Sequence, residues 1–211
     1  MSELYIYGAG GHGAVVAEIA AELGYVVVGF IDDDPERADA TVLSWRVLGG
    51  RACIPRGANV ALGIGNNEAR GGLVDQARDL GWDLPVLVHP SAVISPSATL
   101  GAGTVAMPQV VVNARTRIGS GCILNTACSV DHDSRVGEVS HIAPGVRIAG
   151  GVTIGDHALI GIGSCIRPGI VVGSGCVIGA GSVVVSDVAD GATLFGNPAT
   201  KRRRAVPAEG D

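Results

Sequence analysis

Residues 112–148 read VNARTRIGSGCILNTACSVDHDSRVGEVSHIAPGVRI, and every sixth residue is a large aliphatic: Val112, Ile118, Leu124, Val130, Val136, Ile142 and Ile148. The register extends from Ile94 to Val184, where fifteen of the sixteen positions are Ile, Leu or Val and Ala106 is the exception. With 47% apolar residues in the chain, composition alone would fill only about half of those positions with any apolar residue. Two residues before most anchors, on the same side of an extended chain, stand small or β-branched residues such as Thr104, Thr116, Cys122, Ser134, Ser140 and Ser164. Glycine follows the anchor at Gly101, Gly119, Gly137, Gly155 and Gly173, a spacing of eighteen.

A period of six is neither helical nor that of a plain alternating strand. It suits strands of about four residues joined by two-residue corners, where glycine or a small polar residue relieves steric cost. Three such edges close a triangular coil of eighteen residues. Coils stacked at ~4.8 Å make five turns roughly 24 Å tall, and hexapeptide repeats of this kind are a β-helix signature. Purely structural prisms usually show outward threonine rows, which this chain lacks.

The remaining composition narrows the field. Net charge is −5, and the only basic run is Lys201-Arg202-Arg203-Arg204, a solvated tail or a contact for a phosphate of a long thiol cofactor. Without a basic face or a set of stacking aromatics, no nucleic-acid partner is expected. No apolar stretch reaches eighteen residues, and the chain enters a strand without a basic and then apolar leader. The expectation is a cytoplasmic protein with no membrane span. Five cysteines without a C-x-x-C argue against a disulfide framework or a metal site.

The first 88 residues differ in kind. An apolar strand, Leu4 to Tyr7, runs into Gly8-Ala9-Gly10-Gly11-His12-Gly13, followed by a helical pattern with Val15, Val16, Ile19, Ala20 and Leu23 on one face and by a strand from Val26 to Ile31. This is a Rossmann-like βαβ unit whose turn amides and helix N-terminus suit phosphate oxygens. His12 is positioned there as a donor to a phosphate or sugar, and Asp32 or Asp33 is expected to hold ribose hydroxyls. The glycines also satisfy the dinucleotide fingerprint, but the α/β part is too short for hydride chemistry, and a nucleoside diphosphate fits its size better. Arg46 to Gly50 reads as a short extended piece and turn. Gly65 and Asn66 follow a strand at Val60 to Ile64, on the edge where such sheets bind ligands, and a helix runs on through Leu80. The expected domains are 1–88 (nucleotide-binding, Rossmann-like; the sugar on that nucleotide is what the family resemblance given below implies), 89–190 (β-helix) and 191–211 (tail).

In the repeat, His132 falls at a corner between Asp131 and Asp133, and His141 precedes the anchor Ile142 and so points outward. A histidine beside carboxylates is held in one tautomer and made more basic, which suits a general base. Alternation does not say which aspartate orients the ring. His89 reads as structural and His157 as surface.

End to end, the chain resembles the hexapeptide-repeat sugar acyltransferases of the NeuD/PglD type, closest to UDP-4-amino-sugar N-acetyltransferases. The resemblance rests on Tyr5 to Gly13, Ile31-Asp32-Asp33, Gly63 to Arg70, Ser91 to Ser97, Leu124-Asn125-Thr126, Asp131-His132-Asp133 and Gly196-Asn197-Pro198-Ala199. It implies a left-handed coil and a homotrimer, with acetyl-CoA lying between neighbouring prisms and no metal. It implies that Gly10, Gly11 and His12 hold phosphate, that Asp32 and Asp33 hold the nucleoside, and that Gly65 is a further substrate contact. His132 matches the base and Asp133 its acidic partner, and Asn125 matches a polar residue near the amine. His141 matches an acetyl-CoA contact, with Ile162 and Ala180 at main-chain cofactor positions.

The expected chemistry is direct transfer of an acetyl group to the C4 amine of a UDP-linked 4-amino-4,6-dideoxy sugar. His132 takes the proton, and a corner amide such as that of Gly150 stabilises the oxyanion. No cysteine is placed as a nucleophile. O-acetylation of sialic acid or another sugar is the alternative reaction. A catalytically silent scaffold that senses nucleotide-sugars is the alternative from another class.

Overall fold

A computed structural model describes residues 2–201. The first unit is a three-stranded parallel sheet in the order β2-β1-β5, formed by β1 (Glu3–Tyr7), β2 (Val26–Ile31) and β5 (Asn59–Leu62). Helix α1 (Gly11–Glu22) follows β1 and buries Val16, Ala17, Ile19 and Ala20, while Val15 faces outward, contrary to the face assigned to it above. Between β2 and β5 the chain makes an antiparallel hairpin, β3 (Thr41–Val42) and β4 (Trp45–Arg46), where only an extended piece from Arg46 was expected. Four residues of hairpin carry too little periodicity to register in a sequence. Helix α2 (Asn67–Leu80) is capped by the Asn66 side chain, which accepts from the Ala69 amide, and ends on left-handed Gly81.

The repeat forms a three-faced column of two-residue strands, all paired in parallel register eighteen residues apart. The chain visits the faces in a fixed order, exemplified by Ser129–Val130 on the first, Arg135–Val136 on the second and His141–Ile142 on the third. From Ala106 to Val184 every sixth-residue anchor is buried, whereas Ile94 and Leu100, at the open end, are only partly covered.

Two details of the stack go beyond the repeat as read. The inward Ser and Thr are not filler. Ser134 Oγ donates to the Ala149 carbonyl at 3.1 Å and accepts from the Val152 amide at 3.2 Å, and Ser140 repeats this with Gly155 and Ala158. Both hydroxyls thus satisfy their two polar roles by joining one coil to the next. The glycines spaced by eighteen serve close approach, not unusual torsion. A Cβ on Gly119 would sit 2.7 Å from the Glu138 amide, and one on Gly137 would sit 2.6 Å from the Gly155 carbonyl carbon.

Hydrogen bonding of the column begins at Leu87–Val88, which pairs with Val105–Ala106, and continues to Thr193–Phe195, which pairs with Val177–Ile178. Leu87 and Val88 at one end, and Thr193 to Phe195 at the other, thus take part in the column's ladder. The run from Arg202 to Arg204 lies outside the described residues.

Helix α2 seats the first unit on the corner between the second and third faces. Gly71 of α2 lies against His157, where a Cβ would come within 2.8 Å of the ring, and Asn67 Nδ2 donates to the His157 and Ala158 carbonyls at 3.1 Å. His157, read as surface, is exposed yet belongs to this contact. His89 closes the junction elsewhere, its Nε2 lying 2.8 Å from Glu22 of α1.

Candidate functional site

The glycine-rich turn divides its glycines between two jobs. A Cβ on Gly8 would lie 2.7 Å from the Gly63 carbonyl, one on Gly13 would overlap the Gly8 carbonyl, and one on Gly63 would reach Gly13 Cα at 2.6 Å. These three let β1, α1 and the end of β5 approach closely. At Gly10, Gly11 and Gly65 an added Cβ would meet nothing within 4 Å, so the backbone there faces open space. The first turn of α1 contains no acidic residue, leaving its amides and dipole free for an anion.

Beside the turn lies a hollow of about 370 Å³ lined by Tyr7, Asp32, Asp33, Asp34 and Arg37 among others. Asp32 accepts from the Ala9 amide at 2.9 Å and so ties β2 to the turn. Asp33 accepts from Tyr7 Oη at 2.5 Å and from Arg51 Nη2 at 2.9 Å. Burial alone would raise the Asp33 carboxyl, but these two bonds outweigh it and hold it below the usual range. The same contact, after burial, pushes the Tyr7 phenol upward. The three aspartates give this hollow an acceptor-rich rim, and Gly10 lies on the same rim. Asn66, whose Oδ1 caps α2, stands at the mouth of the Gly65 loop.

The third face of the column brings two more residues to the first unit. His141 Nε2 accepts from Asn125 Nδ2 at 3.1 Å, and Asn125 Oδ1 is fixed by the Thr126 amide at 2.8 Å. His141 does point out of the column, as alternation requires, but the first unit half covers it. Burial, then Arg70 and His12, push it down to about 4, with the Gly65 carbonyl pulling the other way. His12 is pushed down to about 4 by burial and by Arg70, and its Nε2 is buried without a hydrogen-bond partner. Two neutral imidazoles, one from each unit, thus lie near one another, and His141 also meets the Gly65 carbonyl and the Asn125 amide.

Both histidines have folded values below the unfolded one, near 6.5, so the unfolded chain binds more protons between about 6.5 and 4. Their contribution is present above pH 6.5 and is lost as pH falls toward 4. The melting temperature should drop by on the order of 5–10 °C across that window. His12→Gln/His141→Gln should flatten the drop, and an equal drop in that variant would refute the assignment.

His132 stands at another place, the corner between the first and second faces. Its Nδ1 lies 2.8 Å from Asp133 Oδ2, and Asp133 is gripped by Arg115 through Nε at 2.6 Å and Nη2 at 2.8 Å. The Arg115 fork and then the imidazole hold the Asp133 carboxyl well below the ordinary range, so it remains an acceptor. Asp131 does not orient the ring. It accepts from the His132 amide at 2.8 Å and from Asn113 Nδ2 at 2.9 Å, and these two bonds lower its own value. Asp133 is in the left-handed region, φ 60°, which breaks strand alternation and explains why alternation could not choose between the aspartates. The ring lies against Gly150, one coil on, where a Cβ would come within 2.8 Å of Nε2. Below, a hollow of about 380 Å³ opens on the first face beside Asp131 and Arg147.

Ile162 and Ala180 stack eighteen residues apart on the third corner, both exposed, next to Gly163 and Gly181, where an added Cβ would meet nothing. That corner is an unobstructed edge of backbone flanked by one large apolar side chain.

One chain therefore brings together His12, Asn125, His141 and Gly65, and separately His132, Asp133 and Gly150. In a three-faced column the corner bearing His132 is opposite the face bearing His141. Arg70 and Arg115 were not singled out by the sequence reading. The eighteen-residue spacing from Arg115 to Asp133 was the available signal for the second, because equivalent corners stack directly.

Residues 3–77 match the PglD N-terminal domain, and residues 151–186 match the bacterial transferase hexapeptide (six repeats). Among solved structures, the chain is similar to the acetyltransferase domain of PglB from Neisseria gonorrhoeae FA1090. The two are 42% identical, with 96% of this chain and 100% of that one covered and a TM-score of 0.91. PerB from Caulobacter crescentus, crystallised with CoA and GDP-perosamine, is 38% identical over 96% of this chain and 98% of its own, also with a TM-score of 0.91. A curated relative, UDP-N-acetylbacillosamine N-acetyltransferase of Bacillus subtilis (strain 168), is 32% identical over 113 residues, and the match spans about half of its length (52%).

Proposed function

The chain belongs to the NeuD/PglD-like family of hexapeptide-repeat acetyltransferases, and from that premise we propose that it transfers the acetyl group of acetyl-CoA to the C4 amine of a UDP-linked 4-amino-4,6-dideoxy sugar. The observation that carries the reading is His132 on an outer corner, its Nδ1 engaged by Asp133 and its ring seated on Gly150. With Nδ1–H donated to a carboxylate, Nε2 is the basic nitrogen and takes a proton from the neutral amine as it attacks the thioester carbonyl; the C–S bond breaks and the departing CoA thiolate takes up that proton. In the Caulobacter enzyme crystallised with CoA and GDP-perosamine, one histidine has been replaced by asparagine and by alanine.

The nucleotide lies with its base and ribose in the Asp32–Asp33 hollow and its diphosphate on Gly10, Gly11 and His12. The sugar extends past Gly65 and Asn66 toward Asn125. Acetyl-CoA, which supplies the thioester, lies along the edge made by Ile162 and Ala180, with His141 near the acyl end and the Gly150 amide available to the oxyanion. Because His132 and His141 occupy opposite sides of one column, the site is assembled from two copies, the corner of one meeting the third face of the next. A homotrimer closes such a head-to-tail contact.

An acceptor panel of UDP-, GDP- and dTDP-linked 4-amino-4,6-dideoxy sugars plus free sialic acid tests this, read by CoA thiol release and product mass. The expected result is acetylation of the amino sugars, fastest with UDP. A GDP-linked acceptor is the second reading, favoured by the ligand of the Caulobacter protein. Acetylation of sialic acid alone, or nucleotide-sugar binding without CoA release, would reject the proposal.

A further inference from the structure

Arg70 is a cation with almost no contact with water, 1% exposed, in the first half of α2. A guanidinium has five N–H donors, and here each has one acceptor. Nε donates to the Gly121 carbonyl at 2.7 Å. One terminal nitrogen donates to the Ile64 and Gly65 carbonyls at 2.9 and 3.1 Å. The other donates to Asn67 Oδ1 and the Val139 carbonyl at 2.7 and 2.8 Å. None of the five acceptors is a carboxylate.

The acceptors belong to separate pieces of the molecule. Ile64 and Gly65 form the loop after β5. Gly121 and Val139 are stacked corners of the column, eighteen residues apart, and Asn67 carries the contact on to His157, eighteen further. Asn67 and Arg70 thus read three successive coils at one corner, while Arg70 also grips the Gly65 loop. A buried charge satisfied only by neutral oxygens costs more than apolar packing of the same volume, so cohesion alone does not account for it. What the fork supplies is a fixed distance between four backbone carbonyls. Lysine, with three donors on a flexible stem, cannot reproduce it.

We propose that Arg70 is a positioning residue that sets the height of the Gly65 loop above the column, and with it the reach of the bound sugar toward the acetyl donor. The last step rests on the function proposed above, while the loop-positioning step stands apart from it. Asn125 and His141 lie on the column and Gly65 on the first unit, so displacing the loop moves the sugar relative to the groups that meet its amine. Acetyl-CoA, lying on the column, is not carried by that loop.

The test uses the full-length enzyme with Arg70→Lys, and with Asn67→Ala as the milder variant should Arg70→Lys not fold. In the free protein, amide hydrogen exchange should quicken across residues 64–67 and remain unchanged in the coils beyond 160. In steady state, KM for the nucleotide-sugar should rise and kcat fall, lowering kcat/KM by ~10²-fold, whereas KM for acetyl-CoA stays close to wild type. Asn67→Ala should move both readouts the same way and less. Unchanged exchange over 64–67 in either folded variant overturns the proposal, and so does an equal rise in both KM values. If wild type acetylates no amino sugar, the functional reading fails, but the exchange measurement still decides whether Arg70 holds the loop.

Discussion

His132→Ala is expected to lower kcat by about 10²–10⁴-fold, the usual contribution of a positioned general base, while KM for acetyl-CoA stays near wild type. The imidazole is on an exposed corner and supports no core, so the variant should melt at the wild-type temperature. Asp133→Asn should cost less, because Arg115 is still in reach but the ring is no longer held by an anion. The same variant also tests where the site is built. If His132 of one copy serves the His12–His141 face of another, mixing His132→Ala with His12→Gln/His141→Gln and reassembling the oligomer should restore part of the activity that neither has alone. Near-wild-type turnover by His132→Ala removes the base role, and failure of every mixed assembly to recover activity removes the shared site.

Gly150→Ala is expected to cost activity through the same histidine, less severely, although it adds a single methyl group at a half-buried turn. The new Cβ would lie 2.7 Å from Cε1 and 2.8 Å from Nε2 of His132, closer than atoms can approach. Since the ring is on the surface it can swing aside, so the fold survives and the base is displaced. A fall in kcat of about 10–10²-fold follows if a shift of roughly 1 Å misaligns proton transfer. The Gly150 amide is retained in this variant, so its part in holding an oxyanion is not what is lost. The double variant Gly150→Ala/His132→Ala should therefore be no worse than His132→Ala alone, as residues acting through one group are not additive. Wild-type turnover by Gly150→Ala, or full additivity with His132→Ala, would show that the ring does not depend on this seat.

Much of this architecture is legible because the column repeats. A six-residue period held through sixteen anchors leaves little freedom in what points inward, and the glycine-rich turn announces the phosphate side of the first unit. What stayed hidden is what arises where parts meet. Arg70 sits in a helix whose other features are ordinary, and nothing local marks it as buried, because the column that covers it enters through acceptors at residues 121 and 139, far along the chain. The choice of Asp133 over Asp131 depends on one left-handed residue, which alternation assumes away. The inward serines look like small filler until the coil above supplies both a carbonyl and an amide. The purpose of Gly119 and Gly137 is likewise set by the neighbouring turn and not by their own torsions.

The Ser140 hydroxyl and the stacked glycines have a consequence for how the gene can lengthen or shorten. Each coil is stitched to the next by contacts eighteen residues on, so the column behaves as a ruler graduated in whole turns. Removing one residue from an edge would send every later aliphatic to the outside, whereas duplicating a complete turn above Val184 would leave the chemistry at residues 132 and 150 unmoved. Relatives that differ in height should therefore differ by multiples of one turn, and extra residues should gather at the corners, where a bulge disturbs no rung.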